Sequence, residues 1–216
     1  MKIILHYLLC SLFILFISGC APHGPRSFHV PLLDEKGVLQ ATGYISPANG
    51  LEIQADYAWG NHVYSPADFS YSRIQSGENG FRSNVYSFGI GYFTKMKNRG
   101  RFNLYLTPTY GNFGNTGSDY KSHFLGQTFG SDIGWRFDHF EAALSLKYDN
   151  FFYLSHSMQY DGNASGLGSA FTLRAGGERF KFHTQLGITY PLSGDYDLFP
   201  YVFNIGLNYR INFKRK

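Results

Sequence analysis

The stretch FNIGLNYRINF, residues 203–213, lies near the end of the chain and decides which regular structure the sequence favours. Apolar residues recur in it at every second position, and the positions between them are polar or glycine. The apolar set is Phe203, Ile205, Leu207, Tyr209, Ile211 and Phe213. Successive side chains of a strand point to opposite faces, so this period of two predicts a β-strand with one apolar and one polar face.

The same alternation recurs in about ten segments between residues 37 and 213. Short polar turns alternate with longer polar loops between these segments. Several segments reach the ~9 to 11 residues that a tilted strand needs to cross a bilayer, whereas strands of soluble sheets average about 5 or 6. A soluble β-sandwich would show the same alternation, but the strand length favours a membrane barrel. Pro66 interrupts one segment and indicates a β-bulge there, because proline cannot donate to a sheet ladder.

Composition fits this prediction and excludes other classes. The 216 residues include 25 glycines, 19% are aromatic and only 16% are charged. Such a profile favours one domain of strands and turns, and it contains no α-helical membrane span after residue 19. The formal net charge of +4 is spread along the chain without a long basic run. Nucleic acid is therefore not expected among the partners.

The first 19 residues have the pattern of an export signal. Lys2 precedes a mostly apolar run over residues 3–17, which is too short for a comfortable membrane span. The segment ISGC, residues 17–20, resembles a bacterial lipobox, and this resemblance implies that Cys20 receives a diacylglycerol and becomes the mature N-terminus. The alternatives are a secretory peptide cut elsewhere and an uncleaved anchor. Residue 21 is Ala rather than the Asp that often retains lipoproteins at the inner membrane, and this favours delivery to the outer membrane.

Residues 20–36 follow the signal and contain two early prolines and a glycine. This composition predicts a lipidated tether without folded structure. Cys10 would be removed with the signal, so the mature chain would have one cysteine and no intramolecular disulfide.

From Gly37 to Phe213 the chain resembles a small bacterial outer-membrane β-barrel. The fold class that this resemblance implies is an all-β, antiparallel, up-and-down transmembrane barrel of ten strands, with eight as the alternative count. Leu207, Tyr209, Ile211 and Phe213 resemble the C-terminal β-signal that the barrel-assembly machinery recognises, and residues 214–216 form a basic tail. An even strand count implies that both termini are periplasmic. The implied partners are the lipid bilayer, the assembly machinery and a larger outer-membrane complex.

The polar face carries charges of both signs, which we expect to point into the barrel. These residues are Glu52, Asp56, Arg101, Asp132, Arg136, Glu141, Lys147, Arg174, Lys181 and Arg210. A barrel of about eight strands is just wide enough for side chains to fill it, so one of about ten leaves little extra room. Opposite charges should pair across this lumen, because an unpaired buried charge is costly. We therefore expect a polar filling with no open aqueous path.

Aromatic residues gather beside the short turns and resemble an interfacial girdle. They are Trp59, Tyr92, Phe102, Trp135, Phe140, Phe180 and Phe213.

Catalytic and metal-binding patterns are weak in this sequence. Ser122 and His123 are neighbours on a strand, where adjacent residues face opposite ways and cannot form a dyad. His156 and Ser157 are neighbours in a loop, where such a pair could meet but is far more often solvated than catalytic. Asp195 and Asp197 are too few to argue for a calcium site. The sequence therefore predicts no catalytic residues, no metal and no cofactor. The expected function is a structural or accessory role in the cell envelope. A narrow channel or small-ligand barrel is the alternative, and a lipid-modifying enzyme ranks third.

Overall fold

A computed structural model describes residues 26–46, 50–76, 79–97, 99–115, 122–154, 163–193 and 201–213. Within these ranges the chain forms eleven strands. They are β1 (Val38–Ser46), β2 (Gly50–Ala58), β3 (Val63–Ser76), β4 (Asn79–Phe88), β5 (Ile90–Lys95), β6 (Gly100–Asn115), β7 (Ser122–Arg136), β8 (Phe140–Tyr153), β9 (Asn163–Gly176), β10 (Phe180–Ser193) and β11 (Tyr201–Asn212). In the part of the chain described, no helix is long and apolar enough to cross a membrane.

The sheet closes on itself. Each strand pairs antiparallel with its neighbours, and β11 returns to β1, where Val38 lies opposite Asn212 and Ile45 opposite Ile205. Strands β4 and β5 lie end to end, and both pair with β3 on one side and with β6 on the other, so together they count as one barrel strand. The fold is therefore a closed antiparallel barrel of ten strands, as the sequence predicts. Closure pairs the backbone groups that an open sheet would leave at its edges.

The bulge predicted at Pro66 is wrong. Gly89, between β4 and β5, donates its N–H to the Pro66 carbonyl over 2.9 Å, and proline has no N–H to return. On one side of this pair Ala67 lies opposite Phe88, and on the other Tyr64 lies opposite Gly91, so the register is unchanged. A missing hydrogen bond, rather than an extra residue, separates β4 from β5.

Apolar side chains face outward and polar ones face inward. In β8, Leu144 and Leu146 are 54% and 57% exposed, whereas Glu141, Ser145 and Lys147 are buried. The other strands repeat this arrangement, with the aromatic residues beside the short turns mostly exposed on the outer surface. This polarity is the reverse of a soluble barrel and is typical of bacterial outer-membrane barrels.

The two ends of the barrel differ. Residues 59–62, 96–99, 137–139 and 177–179 connect strands at one end, which we call the short-turn end. The start of β1 and the end of β11 lie at this same end, since Val38 pairs with Asn212. The other connections lie at the opposite end, which we call the loop end; they span residues 47–49, 77–78, 116–121, 154–162 and 194–200, and the last three are the longest.

The predicted tether is wrong for residues 26–34, which lie inside the barrel, whereas Glu35 and Lys36 are exposed where the chain turns towards β1. Phe28, Val30, Leu32 and Leu33 are each at most 1% exposed. The proline and glycine that suggested a tether come just before this segment, at residues 22–25, whereas residues 26–33 carry apolar and charged side chains that match the lumen. We call residues 26–34 the plug.

Candidate functional site: the filled lumen

The plug begins near the middle of the barrel. The Arg26 guanidinium donates to Asp68 at 3.2 Å and to Ser87 at 2.5 Å. Its other terminal nitrogen donates to Thr109 at 3.2 Å and to Thr128 at 3.0 Å. These four acceptors come from β3, β4, β6 and β7. Asp68, Thr109 and Thr128 lie inside their strands, and Ser87 lies beside the junction of β4 and β5, which together count as one barrel strand. The plug therefore runs from mid-lumen to the short-turn end, where Gly37, at a φ of 83°, turns the chain into β1.

Carboxylates of β2 and β3 hold the first half of the plug. His29 lies between two of them, with Nε2 2.9 Å from Asp68 and Nδ1 3.4 Å from Asp56. Ser27 donates its hydroxyl to Glu52 over 2.7 Å. We call Glu52, Asp56 and Asp68 the acidic belt. The barrel supplies these negative charges and the plug supplies the donors that neutralise or solvate them.

Side chains of the barrel also satisfy the plug backbone. Gln185 accepts from the Phe28 N–H at 2.9 Å and donates to the Phe28 carbonyl at 3.2 Å. The Val30 carbonyl accepts from Gln40 at 3.1 Å and from Arg174 at 2.6 Å. A buried peptide group without hydrogen-bond partners is costly. The side chains of these lumen residues therefore supply the hydrogen bonds that a neighbouring strand would otherwise make to the plug backbone.

Small lumen residues make room for the apolar side chains of the plug. Phe28, Val30 and Leu32 form one buried cluster with Ala143, Ala170 and Val202. A Cβ added at Gly134 would lie 2.6 Å from Leu32 Cδ2, and one added at Gly168 would lie 2.8 Å from Phe28 Cζ. The inner wall therefore fits the plug in shape as well as in charge.

The second half of the plug ends in a cluster of bases at the short-turn end. Asp34 is ion-paired with Arg210, with Arg136 at 2.7 Å and with Arg101 at 3.7 Å. Burial alone would raise the pKa of the Asp34 carboxyl, but these three guanidinium groups outweigh burial and hold the pKa below its ordinary value.

A second carboxylate, Glu141, completes this cluster. It pairs with Arg136 at 3.2 Å, Arg174 at 3.3 Å and Lys181 at 3.5 Å. We call Arg101, Arg136, Arg174, Lys181 and Arg210 the basic mouth. Within the contacts described, these five cations share the two carboxylates of Asp34 and Glu141.

A cavity of about 420 Å³ opens at the basic mouth. Its charged lining consists of Asp34, Glu35, Arg99, Arg101, Arg136, Asp138, Glu178, Arg179 and Arg210. Among the described residues, Arg101 Nε and Arg210 Nη1 are buried without a hydrogen-bond partner.

The structure places all ten residues of the predicted inward set on the inner side. Six meet at the mouth, namely Arg101, Arg136, Glu141, Arg174, Lys181 and Arg210. Glu52 and Asp56 lie in the acidic belt, Lys147 pairs with Asp149 at 3.1 Å, and both carboxylate oxygens of buried Asp132 lack a partner among the described residues. The sequence predicted that opposite charges of the wall pair directly across the lumen. In the structure, several wall charges pair instead with Arg26, His29 and Asp34 of the plug.

Sequence reasoning missed Arg26, His29, Asp34 and Asp68. The first three lie in the predicted tether, and Asp68 lies in the segment whose alternating pattern Pro66 interrupts. The signal that could have found the plug is RSFHVPLLD, residues 26–34, where apolar side chains and both charge signs follow one another.

The structure describes some of the other positions singled out in the sequence and leaves others outside the described residues. Leu207 and Tyr209 are exposed on the outer face, Ile211 is half-buried and Phe213 is exposed. His123 lies beside Tyr110, with its Nδ1 2.7 Å from the hydroxyl. Cys20, His156, Asp195 and Asp197 lie outside the described residues. Across the described ranges, no group of three or more His, Cys, Asp or Glu side chains is arranged to hold a metal ion.

No protein-family model and no curated protein matches this chain. Among solved structures, the beta domain of the Bordetella autotransporter BrkA is similar with a TM-score of 0.42 and 14% identity, over 81% of this chain and 99% of that chain. The translocator domain of the autotransporter NalP from Neisseria meningitidis has a TM-score of 0.40 and 11% identity, over 81% and 86%. OmpT, an outer membrane protein of Vibrio cholerae, has a TM-score of 0.33 and 6% identity, over 76% and 65%. No function follows from likenesses this distant.

Proposed function

We propose that this chain is an outer-membrane β-barrel lipoprotein with a structural or accessory role in the cell envelope. The observation that carries the proposal is the plug, which occupies the lumen from its middle to the short-turn end. Arg26, His29 and Asp34 each meet opposite charges from the wall, so the plug and the barrel neutralise one another. A lumen filled in this way supports a closed scaffold rather than a steady pore.

The narrow channel is the second candidate and requires that the plug leave the lumen. Its departure would expose Asp56 and Asp68 to one another without His29 between them. Like charges in a confined site repel, which favours retention of the plug. The channel would therefore need a factor that extracts the segment.

A role without catalysis is also part of the proposal. The imidazole of His183 accepts from Arg174 at 2.9 Å, and that of His29 lies between two carboxylates. His62 and His139 approach backbone carbonyls at 3.1 and 3.2 Å. Such contacts support structural roles for these four histidines.

The outward apolar face supports insertion into the outer membrane, and the short-turn end would face the periplasm as in other barrels of this kind. Recognition of Leu207, Tyr209, Ile211 and Phe213 by the barrel-assembly machinery belongs to the same proposal. A larger outer-membrane complex is the partner proposed for an accessory role, and affinity purification from mild detergent tests it.

Conductance separates the scaffold from the channel. The purified protein in planar bilayers should show little or no steady current, whereas the double variant Arg26→Ala and His29→Ala should show current because the plug loses its contacts with the belt. Arg73→Ala is the control, since this side chain is exposed towards the loop end. A steady current through the unaltered protein, with ion selectivity set by Glu141 and Arg174, would support the channel instead.

Processing tests the lipid anchor. Cys20→Ser should abolish lipid modification, as measured by the mass of the mature protein. The variant should remain in the membrane fraction, because one acyl chain contributes only marginal anchoring compared with a barrel. Its release into the soluble fraction would contradict membrane insertion.

A further inference from the structure

The basic mouth carries more positive charge than its described partners balance. Asp34 and Glu141 are shared among Arg101, Arg136, Arg174, Lys181 and Arg210. Arginine stays protonated in proteins, so it cannot shed its charge to relieve the imbalance. The remaining charge is met by solvent, by the nearby carboxylates of Glu35, Asp138 and Glu178, or by a bound anion.

Two donors at this mouth point to an anion. Arg210 is only 9% exposed, yet its Nη1 has no hydrogen-bond partner among the described residues, and the same holds for Arg101 Nε. Both side chains line the cavity of about 420 Å³. Buried donors are normally satisfied, so an unmatched pair of them beside an open cavity is a position where an acceptor fits.

The chemistry of the lining selects the kind of anion. Guanidinium groups bind carboxylates and phosphates with paired N–H donors. Among the described residues, five arginines line the cavity and outnumber its four acidic side chains, so the lining favours an anion. The cavity is much larger than a single phosphate ion, which leaves room for a group attached to it. We propose that the mouth binds a phosphate-bearing molecule through Arg101, Arg136 and Arg210, next to Asp34 of the plug.

This inference goes beyond the proposed scaffold role and does not depend on lipidation. The ligand and Asp34 share the same guanidinium groups, so they compete. The phosphate comes either from a soluble molecule or from the head group of an anionic phospholipid at the same membrane surface. Both sources use the same donors, and the experiment distinguishes them.

The test is calorimetric titration of the full chain in a zwitterionic detergent with pyrophosphate, at constant ionic strength. We expect saturable binding that Arg210→Gln and Arg101→Gln each weaken at least tenfold. Arg73→Gln, at the opposite end of the barrel, should bind like the unaltered protein. Asp34→Asn should bind at least threefold more tightly, because it removes the competing carboxylate while leaving every donor in place.

The Asp34→Asn result keeps the proposal falsifiable even where an arginine variant fails to fold. No saturable binding by the unaltered protein, weaker binding by Asp34→Asn, or equal losses in Arg73→Gln and Arg210→Gln would overturn it. Repeating the titration in lipid nanodiscs assigns the source. Weaker pyrophosphate binding in discs with phosphatidylglycerol than in discs of phosphatidylcholine shows that head groups occupy the site, and unchanged binding shows that the ligand is soluble.

Discussion

The acidic belt and the basic mouth lie in the same lumen, and the plug meets them with opposite charges. In the belt, carboxylates of the wall receive Arg26 and His29. At the mouth, bases of the wall receive Asp34. The plug therefore places Arg26 and His29 against the acidic belt and Asp34 against the basic mouth.

The two regions differ in how completely the plug matches them. In the belt, Asp68 has both Arg26 and His29 as partners, and Glu52 accepts twice from Ser27. At the mouth, one plug carboxylate serves three guanidinium groups. The belt is thus built to hold the plug, whereas the mouth retains capacity for a further anion.

The largest effect is expected at the mouth. Glu141→Gln removes a buried carboxylate that three cations share, and breaking a buried pair costs about 3 to 5 kcal/mol. Urea unfolding of the protein in lipid vesicles measures the change in free energy. Asp138→Asn is the matched control, because this carboxylate makes only an exposed ion pair with Arg99 at 3.9 Å in the described contacts, and it should change the free energy by less than about 1 kcal/mol. Equal effects of the two variants would contradict the assigned network.

The next effect tests the belt. His29→Gln removes the imidazole that lies between Asp56 and Asp68, and losing hydrogen bonds to charged groups costs about 1.5 to 3 kcal/mol. Adding Asp68→Asn should restore part of this loss, because it removes one of the two repelling carboxylates. Arg73→Gln, exposed towards the loop end, should have little effect in the same unfolding assay. Additive losses in the double variant would show that His29 does not mediate between the carboxylates.

A smaller effect tests the shape of the wall. Gly168→Ala places a methyl group against the Phe28 ring, and overpacking costs about 1 to 3 kcal/mol. Gly43→Ala is the control, since a Cβ there meets nothing within 4 Å. Shortening the plug side chain with Phe28→Leu should relieve the Gly168→Ala variant. Equal tolerance of both alanines would mean that the plug does not press on the wall at residue 168.

The smallest effect concerns pH and Asp34. Its pKa is lower in the folded protein than in the unfolded chain, so its contribution to stability is complete above an ordinary carboxyl pKa of about 4 and is lost as the pH falls through the lower folded value. The unaltered protein should exceed Asp34→Asn by at most about 1 kcal/mol at pH 7, because this ion pair is partly solvated. The difference should vanish in strong acid. A difference that grows on acidification would contradict the sign of the shift.

The alternation in sequence predicted the barrel well, because a period of two reports directly which face each side chain takes. Leu144 and Lys147 in β8, for example, lie outside and inside as their parity requires. The pattern could not predict what fills the lumen. Arg26 meets Thr128 across 102 residues of sequence, and no local period encodes such a contact.

The plug was missed for a related reason. Residues 22–25 are rich in proline and glycine, which predicts an unfolded tether, and this prediction was extended to the residues that follow. Pro31 also interrupts the plug, so its polar and apolar side chains never form a run long enough to suggest an element. Its structure depends on acceptors and donors such as Gln185, which lie far away in sequence.

Cross-linking tests most directly the central claim, which is that residues 26–34 lie inside the barrel. Ser27 and Asn204 touch through a 2.7 Å hydrogen bond, whereas Ile205 is next to Asn204 but faces outward. In a background with Cys10→Ser and Cys20→Ser, the pair Ser27→Cys and Asn204→Cys should form a disulfide in membranes, detected by mass spectrometry of the peptides. The pair Ser27→Cys and Ile205→Cys should not form one. Equal cross-linking of both pairs, or rapid labelling of the thiol at residue 27 by a bulky maleimide with no cross-link, would contradict a plugged lumen.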